Sequence, residues 1–319
     1  MIALLVLLLC QKAEVRLESP PTAAEIEDLK ARGITTVGLD ARKDLEGLFN
    51  RGVSLHLVLG ADYKEMVGRY AKQSGLLWSI RDEGTDAEQR ARVAEIHALD
   101  PKHPISVNRK CLEADDLQVW PHLGFKQFGW ISVRVGGGET RLSALGEADF
   151  AFPVWANREK SDAMAHPLPV TVDRSLVLDA ADDAARFKLR SQVLYPIYLS
   201  GGSLAVKALP GAEAAIDDLG HACRLAGAVP FAEMSTRSGL LSDVSGNFCL
   251  AKEGGPYAIY LTKGSEISLD LRAETGKFKV TWRDVRSDKS AAGPELSAGD
   301  WRSLGKPPYP GDVAAIVSR

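Results

Sequence analysis

From Glu14 to Val107 short β-rich runs and amphipathic helical faces take turns, joined by brief connections. That alternation restricts the fold more than any other feature. Consecutive strands separated by a helix must run parallel, and a parallel sheet has to be covered by helices. Glu14 to Leu17 reads as a short strand. Thr22-x-x-Glu25 then opens a helix with Ile26 and Leu29 on one face, a capping-box signature. Ile34 to Leu39 is the next strand, ending at Asp40, and Leu45, Leu48 and Phe49 mark a helical face. Val53 to Leu59 follows, and Asp62-x-x-Glu65 is expected to cap a helix whose apolar side is Met66, Val67 and Tyr70.

The unit with most chemistry is Leu76 to Gly84. An apolar run carrying Trp78 stops abruptly at Arg81, Asp82 and Glu83, and Thr85-x-x-Glu88 opens the next helix. In a strand–helix repeat, residues at the carboxyl ends of strands face the pocket. Glu83 is therefore the leading functional carboxylate. The plainer alternative is that Asp82 and Glu83 only favour the helix N-terminus through its macrodipole. Trp78 reads either as a sugar-stacking platform or as a core aromatic.

The helix after Thr85 carries Val93 and Ile96 and ends near Asp100-Pro101. Pro104 to Val107 is a further strand. The alternation continues less regularly with Phe125 to Val135, a helical region to about Ala165, and Leu168 to Val172, a strand ending at Asp173. A long helical pattern from Ala180 to Leu199 stops at Gly201-Gly202, and Ser203 to Leu209 is the last strand of this part. The expected fold is α/β, a (β/α)8 TIM-like barrel, complete or cut short at its N-terminus. Gly136-Gly137-Gly138 lacks the spacing of a dinucleotide loop and reads as an ordinary loop. Past Gly239 the pattern becomes short β runs: Phe248 to Ala251, Tyr257 to Leu261, Ile267 to Leu271 and Phe278 to Trp282, separated by Gly- and Pro-rich turns. Val313 to Val317 closes a small antiparallel β-sandwich. The expected division is a signal segment over 1–13, a barrel over 14–238 and a sandwich over 239–319.

Composition narrows the partners. The net charge of the 319 residues is -3, with no basic run, so nucleic acid is not an expected partner. Cys10, Cys111, Cys223 and Cys249 form no CxxC pair, so neither a metal nor any other cofactor is expected. Cys249, between Phe248 and Leu250, is expected to be a buried free thiol. Met1 to Cys10 is almost wholly apolar but too short to span a bilayer, which takes about 20 residues. It reads as the core of a secretion signal or as the remnant of a longer N-terminus, and the expected location is outside the cytoplasm.

At this point the chain resembles a known group. Leu77-Trp78-Ser79-Ile80-Arg81-Asp82-Glu83-Gly84, followed by Leu99-Asp100-Pro101 and His103-Pro104, is similar to secreted bacterial glycoside-hydrolase-like TIM barrels of the apiosidase-like group. Asn247 to Lys252, Tyr257 to Leu261, Leu269 to Leu271 and Val280 to Arg286 resemble the module named the collagen-binding domain, usually fused to such barrels. The resemblance implies a glycan or polysaccharide partner, with matrix protein an alternative, and an acid/base carboxylate at Glu83. Asp82, Asp40 and Asp62 join Trp78 as candidate substrate-binding residues.

One departure outweighs the match. A retaining glycosidase needs two carboxyl groups about 5 Å apart. Where the resemblance implies Asp-Glu-x-Gly at the end of the seventh strand, this chain has Asp173-Arg174-Ser175-Leu176. Arg174 replaces the expected nucleophile, and Asp173 should point to the other face of the strand. A guanidinium beside Glu83 would also hold its carboxyl down, whereas a general acid needs a raised pKa. The expectation is a glycan-binding pseudoenzyme with a degenerate site. A working hydrolase using Glu83 with Asp40, Asp62 or Asp173 is one alternative, and adhesion through the C-terminal module is another.

Overall fold

The structure, a computed structural model, describes residues 13–81, 83–111, 127–135, 140–141, 170–178, 182–208 and 211–319. The expected alternation is present except between the second and third strands, where the helix expected around Leu45, Leu48 and Phe49 is a single 3-10 turn, Glu46–Leu48. Strands β1 (Ala13–Arg16), β2 (Thr36–Asp40), β3 (Ser54–Leu59), β4 (Leu76–Arg81) and β5 (Ile105–Cys111) are joined in parallel, each to the next. Helices α1 (Ala23–Ala31), α2 (Tyr63–Tyr70) and α3 (Asp86–Leu99) lie between them. Further along are β6 (Ile131–Val135), the two-residue β7 (Thr140–Arg141), β8 (Val170–Leu178) and β9 (Ser203–Ala208). The sheet curls back on itself: β1 pairs with β9, β9 with β8, and β8 with β6, all parallel. This is a TIM-like arrangement, with the strand–helix alternation followed over the described residues.

The helix starts were well marked. Thr22 and Thr85 each accept a hydrogen bond from the backbone of the glutamate three residues on, Glu25 and Glu88, and each glutamate accepts one from the threonine N–H. Asp62 makes no such bond with α2, contrary to expectation, because its backbone (φ -87°, ψ 19°) is not in the extended conformation that aims a cap side chain at the helix N–H groups. The helical pattern expected from Ala180 to Leu199 is present from Asp183 onward, but not as uniform α-helix. It comprises α4 (Asp183–Lys188), a π-helical stretch Leu189–Leu194 and α5 (Tyr195–Leu199). Pro196 has no N–H to continue the ladder, and Tyr195 N–H reaches back to Arg190 O with the wider π spacing.

The two faces of the parallel sheet differ. Val15, Val37, Leu57, Trp78, Ile80 and Val107 face the helices in one continuous apolar core. Register-matched positions on the other face carry buried polar groups: Glu14, Thr36, His56, Ser79, Ser106, Thr171 and Ser203. Fully buried parallel strands usually read as unbroken apolar runs, and these do not. Six of these seven buried polar groups are joined in pairs. His56 Nδ1 lies 2.8 and 2.9 Å from the two Glu14 oxygens, Ser106 Oγ donates to Ser79 Oγ at 3.2 Å, and Thr171 and Ser203 hydroxyls are 2.8 Å apart.

Helix α6 (Glu213–Gly227) follows β9 and presses on the turn after α1. A Cβ on Gly220 would lie 1.7 Å from Arg32 O, so only glycine permits this approach. The remaining strands are antiparallel: a six-stranded sheet in the order β10 (Ser235–Thr236), β11 (Phe248–Ala251), β12 (Tyr257–Leu261), β17 (Val313–Ser318), β14 (Lys277–Arg283), β15 (Ser290–Ser297), and a two-stranded sheet of β13 (Ser268–Asp270) and β16 (Trp301–Ser303). Cys249 and Trp282 are buried in their core, and Cys249 is a free thiol as expected.

This C-terminal β region shares a core with the rest. Leu250, Ala258, Tyr260, Val285 and Ala314 belong to the same apolar cluster as the parallel sheet. Tyr260 stacks on Tyr195 of α5, with ring centroids 4.2 Å apart and planes 4° apart. Beside the stack, Arg190 is 3% exposed and gives two hydrogen bonds to Asp312 at 2.7 and 3.1 Å, and one to Asp218 at 3.1 Å. Asp218 also takes two from Arg186, and Tyr260 Oη–H donates to Asp312 at 3.0 Å. Burial acts to lower the Arg190 pKa, but the two carboxylates more than offset this and hold it above the ordinary value.

Candidate functional site

Parallel strands bring their carboxyl ends to one rim, where pockets form in folds of this kind. Glu83 stands on that rim, exposed, just past the end of β4. Its position follows from its neighbours. Glu83 N–H donates to Arg81 O at 2.9 Å, and Gly84 adopts φ 81°, a conformation that glycine takes without strain. The bonded pair Thr85 and Glu88 then fixes the start of α3. The tight turn expected between strand and helix is therefore built, with the carboxylate between two anchored segments.

Around Glu83 the rim is mixed in charge. Arg81, the last residue of β4, pairs with Asp40 at the end of β2, with 3.3 Å between Nη2 and Oδ1. Both side chains are at least half exposed, so the pair contributes about 0–1 kcal/mol to stability. Its importance is chemical, because it supplies Asp40 with a countercharge. Asp62, beyond β3, is exposed. On the other side Lys207 of β9 pairs with Glu18 at 2.7 Å, and its hydrogen bond and charge hold the Glu18 carboxyl below the usual range.

Beneath the rim lies a charged group that the strand patterns did not single out. Glu14 is wholly buried, held by His56 and by Arg16 Nε at 3.3 Å, with the His56 ring edge-on to Trp130 at 5.3 Å between centroids. Gly38 makes room for it: a Cβ there would fall 2.4 Å from Glu14 Oε1 and 2.9 Å from Arg16 Cγ. The signal was present in Ala-Glu-Val-Arg and Ser-Leu-His-Leu, where polar residues recur at a spacing of two in apolar strands.

Several expected site residues stand elsewhere. Trp78 is fully buried and donates its indole N–H to Asp100 Oδ2 at 2.9 Å. It faces the helices and offers no ring face to a sugar, which corrects the platform reading. Trp130 is buried as well. His103 fixes the loop before β5 through Asp100 at 2.6 Å. Strand β8 does not end at Asp173: it runs on to Leu178, so Asp173 and Arg174 lie within it. Asp173 pairs with Ala205, yet Val177 pairs with Lys207, so β8 carries extra residues against β9 as in a bulge. The side chains of Asp173 and Arg174, all of Asp82, Trp120 and Trp155, and the Gly136–Gly138 run lie outside the described residues.

Among the described residues no group of three or more His, Cys, Asp or Glu could hold a metal ion, and no helix is long and apolar enough to cross a membrane. A cavity of about 550 Å³ opens in the C-terminal β region, between Arg237, Lys252, Tyr257 and Arg272, well away from Glu83 in the chain. The candidate site stays at the rim, because the strand ends of a parallel sheet are where the chemistry is expected.

No family model matches the chain, and no curated protein matches it. Solved structures do. One described as a glycoside hydrolase superposes with a TM-score of 0.65 at 14% identity, covering 95% of this chain and 90% of that one. A glycoside hydrolase family 5 structure from Bacteroides vulgatus gives 0.69 at 12% identity, covering 95% and 86%. At such identities the likeness establishes a glycoside-hydrolase-like fold, extending over the β-rich C-terminal part, and nothing finer.

Proposed function

We propose that this chain is a secreted glycan-binding protein built on a glycoside hydrolase, with turnover reduced or lost. The carrying observation is Glu83, an exposed carboxylate anchored at the carboxyl end of β4 in a glycoside-hydrolase-like fold. The reading extends to a full (β/α)8 barrel of the apiosidase-like group over 14–238 and a β-sandwich of the collagen-binding type over 239–319. In it Glu83 faces Arg174, with Asp40, Asp62 and Asp82 around the bound sugar. Arg174 stands where the resemblance implies the nucleophile, and without that carboxylate no covalent glycosyl intermediate forms.

Arg174→Glu tests this directly. It removes the cation and returns a second carboxylate. The expected result is undetectable hydrolysis of aryl glycosides and of soluble glucan, mannan and xylan by the native chain, measurable hydrolysis by Arg174→Glu, and its loss again in Arg174→Glu/Glu83→Gln. Native turnover in the ordinary range of about 1–1,000 s⁻¹, unchanged in Arg174→Ala, would refute the reading. It would favour an active hydrolase in which Glu83 works with Asp62, whose side chain makes no cap bond and stands exposed on the rim.

A further inference from the structure

We infer that the C-terminal β region carries its own saccharide-binding groove, remote from the Glu83 rim. The cavity of about 550 Å³ falls within the roughly 300–1,000 Å³ typical of small-ligand sites. Its lining holds three cations, Arg237, Lys252 and Arg272, and three carboxylates, Glu253, Asp270 and Glu274. That balance selects a class of ligand. An anion drawn to the arginines meets three carboxylates, and a cation meets the opposite. A neutral polyol gains from both, because each hydroxyl donates to a carboxylate and accepts from a guanidinium.

The groove is organised before any ligand arrives. Asp270 holds Arg272 in a forked pair, at 3.0 Å to Nε and 2.8 Å to Nη2, and the guanidinium lies over the Trp301 ring at 5.6 Å. An arginine that would otherwise sample many rotamers is thus presented as a fixed plane, with N–H groups left over for a ligand. On the floor, Glu274 Oε1 accepts from Tyr257 Oη–H at 2.8 Å and from Gly254 N–H at 3.1 Å. Fixed donors and acceptors lower the ordering entropy that weakens most sugar binding. Arg237 and Glu253 also line the groove, both exposed. The choice of a saccharide over another neutral polyol rests on the carbohydrate reading of the fold; the groove itself does not.

The test is calorimetric titration of the full chain with cellohexaose, mannohexaose and xylohexaose, using Arg272→Ala, Arg237→Ala and Glu83→Gln as variants. Arg272 and Arg237 are exposed, and circular dichroism verifies that their variants remain folded. Binding of at least one oligosaccharide is expected, with a component that either groove variant weakens roughly tenfold and that persists in Glu83→Gln. Binding that Glu83→Gln abolishes and the groove variants leave intact overturns the groove while leaving the rim reading in place. Absence of binding by any of the three sugars also overturns it, and the rim reading is then judged separately by the turnover of Arg174→Glu.

Discussion

Replacing Asp312 by alanine tests whether the C-terminal β region and the parallel sheet form one cooperative unit. Asp312 is 2% exposed and accepts from Arg190 twice and from Tyr260 once. Its loss leaves the Arg190 guanidinium buried with Asp218 alone, and Asp218 already serves Arg186. Breaking one side of a buried pair costs about 3–5 kcal/mol, and the orphaned Tyr260 hydroxyl adds about 1–3 kcal/mol. The two share one network and will not sum, so a loss of about 4–5 kcal/mol is expected, a large part of the roughly 5–15 kcal/mol total of a folded protein. The double variant Arg190→Met/Asp312→Leu removes both partners and leaves Asp218 with Arg186. It should be less destabilised than Asp312→Ala, because no uncompensated charge remains. Urea unfolding followed by far-ultraviolet circular dichroism and tyrosine fluorescence measures both. A loss under about 1 kcal/mol in Asp312→Ala, or a double variant worse than the single, would refute the argument.

Three further outcomes follow from single contacts. Burial acts to raise the Asp100 carboxyl, but hydrogen bonds from Trp78 and His103 more than offset it and leave it below the ordinary value. A depressed folded pKa stabilises above the unfolded value of about 3.9, and this contribution is lost as pH falls through the folded value. Trp78→Phe should therefore cost about 1.5–3 kcal/mol near neutrality and show a shallower acid-side loss in a pH series of urea midpoints. Gly38→Ala forces a methyl group against Glu14 and should destabilise by about 1–3 kcal/mol, read from the thermal midpoint, with Gly47→Ala as an unobstructed control. Burial pushes the Cys223 thiol up to about 11 and the Cys249 thiol up to about 12. Both should label with an aromatic disulfide reagent far more slowly in the native chain than in urea, and equal rates would contradict their burial.

What could be read in advance is what local chemistry dictates. Thr22 with Glu25 and Thr85 with Glu88 are three residues apart, so a capping box is visible in the letters, and both form. The strand–helix alternation is similarly local, and so is the turn that presents Glu83. Glu14 and His56 stand 42 residues apart and meet only when strands β1, β2 and β3 pair in one register. Arg190 and Asp312 are 122 residues apart and carry no mark of each other. Trp78 was ambiguous for a different reason: its face of β4 is decided by the register with β3 and β5, which set Leu57 and Ile105 beside it. The end of β8 was misjudged because β-rich residues continue past Arg174 to Leu178, so the chemistry expected at a strand end falls inside the strand.

The stack of Tyr195 on Tyr260 has a practical meaning for anyone who would treat the last eighty or so residues as a portable tag. A fragment starting at 239 would lift Tyr260 off its partner ring and open Leu250, Ala258 and Ala314 to water. It would also strip Asp312 of its arginine. Such a fragment exposes an aggregating face, so a graft onto another protein must carry the segment from Asp183 to Gly227 with it. The same reasoning applies to inheritance: recombination at this junction would select for both halves travelling together, and substitutions at Arg190 and Asp312 would be tolerated mainly in concert.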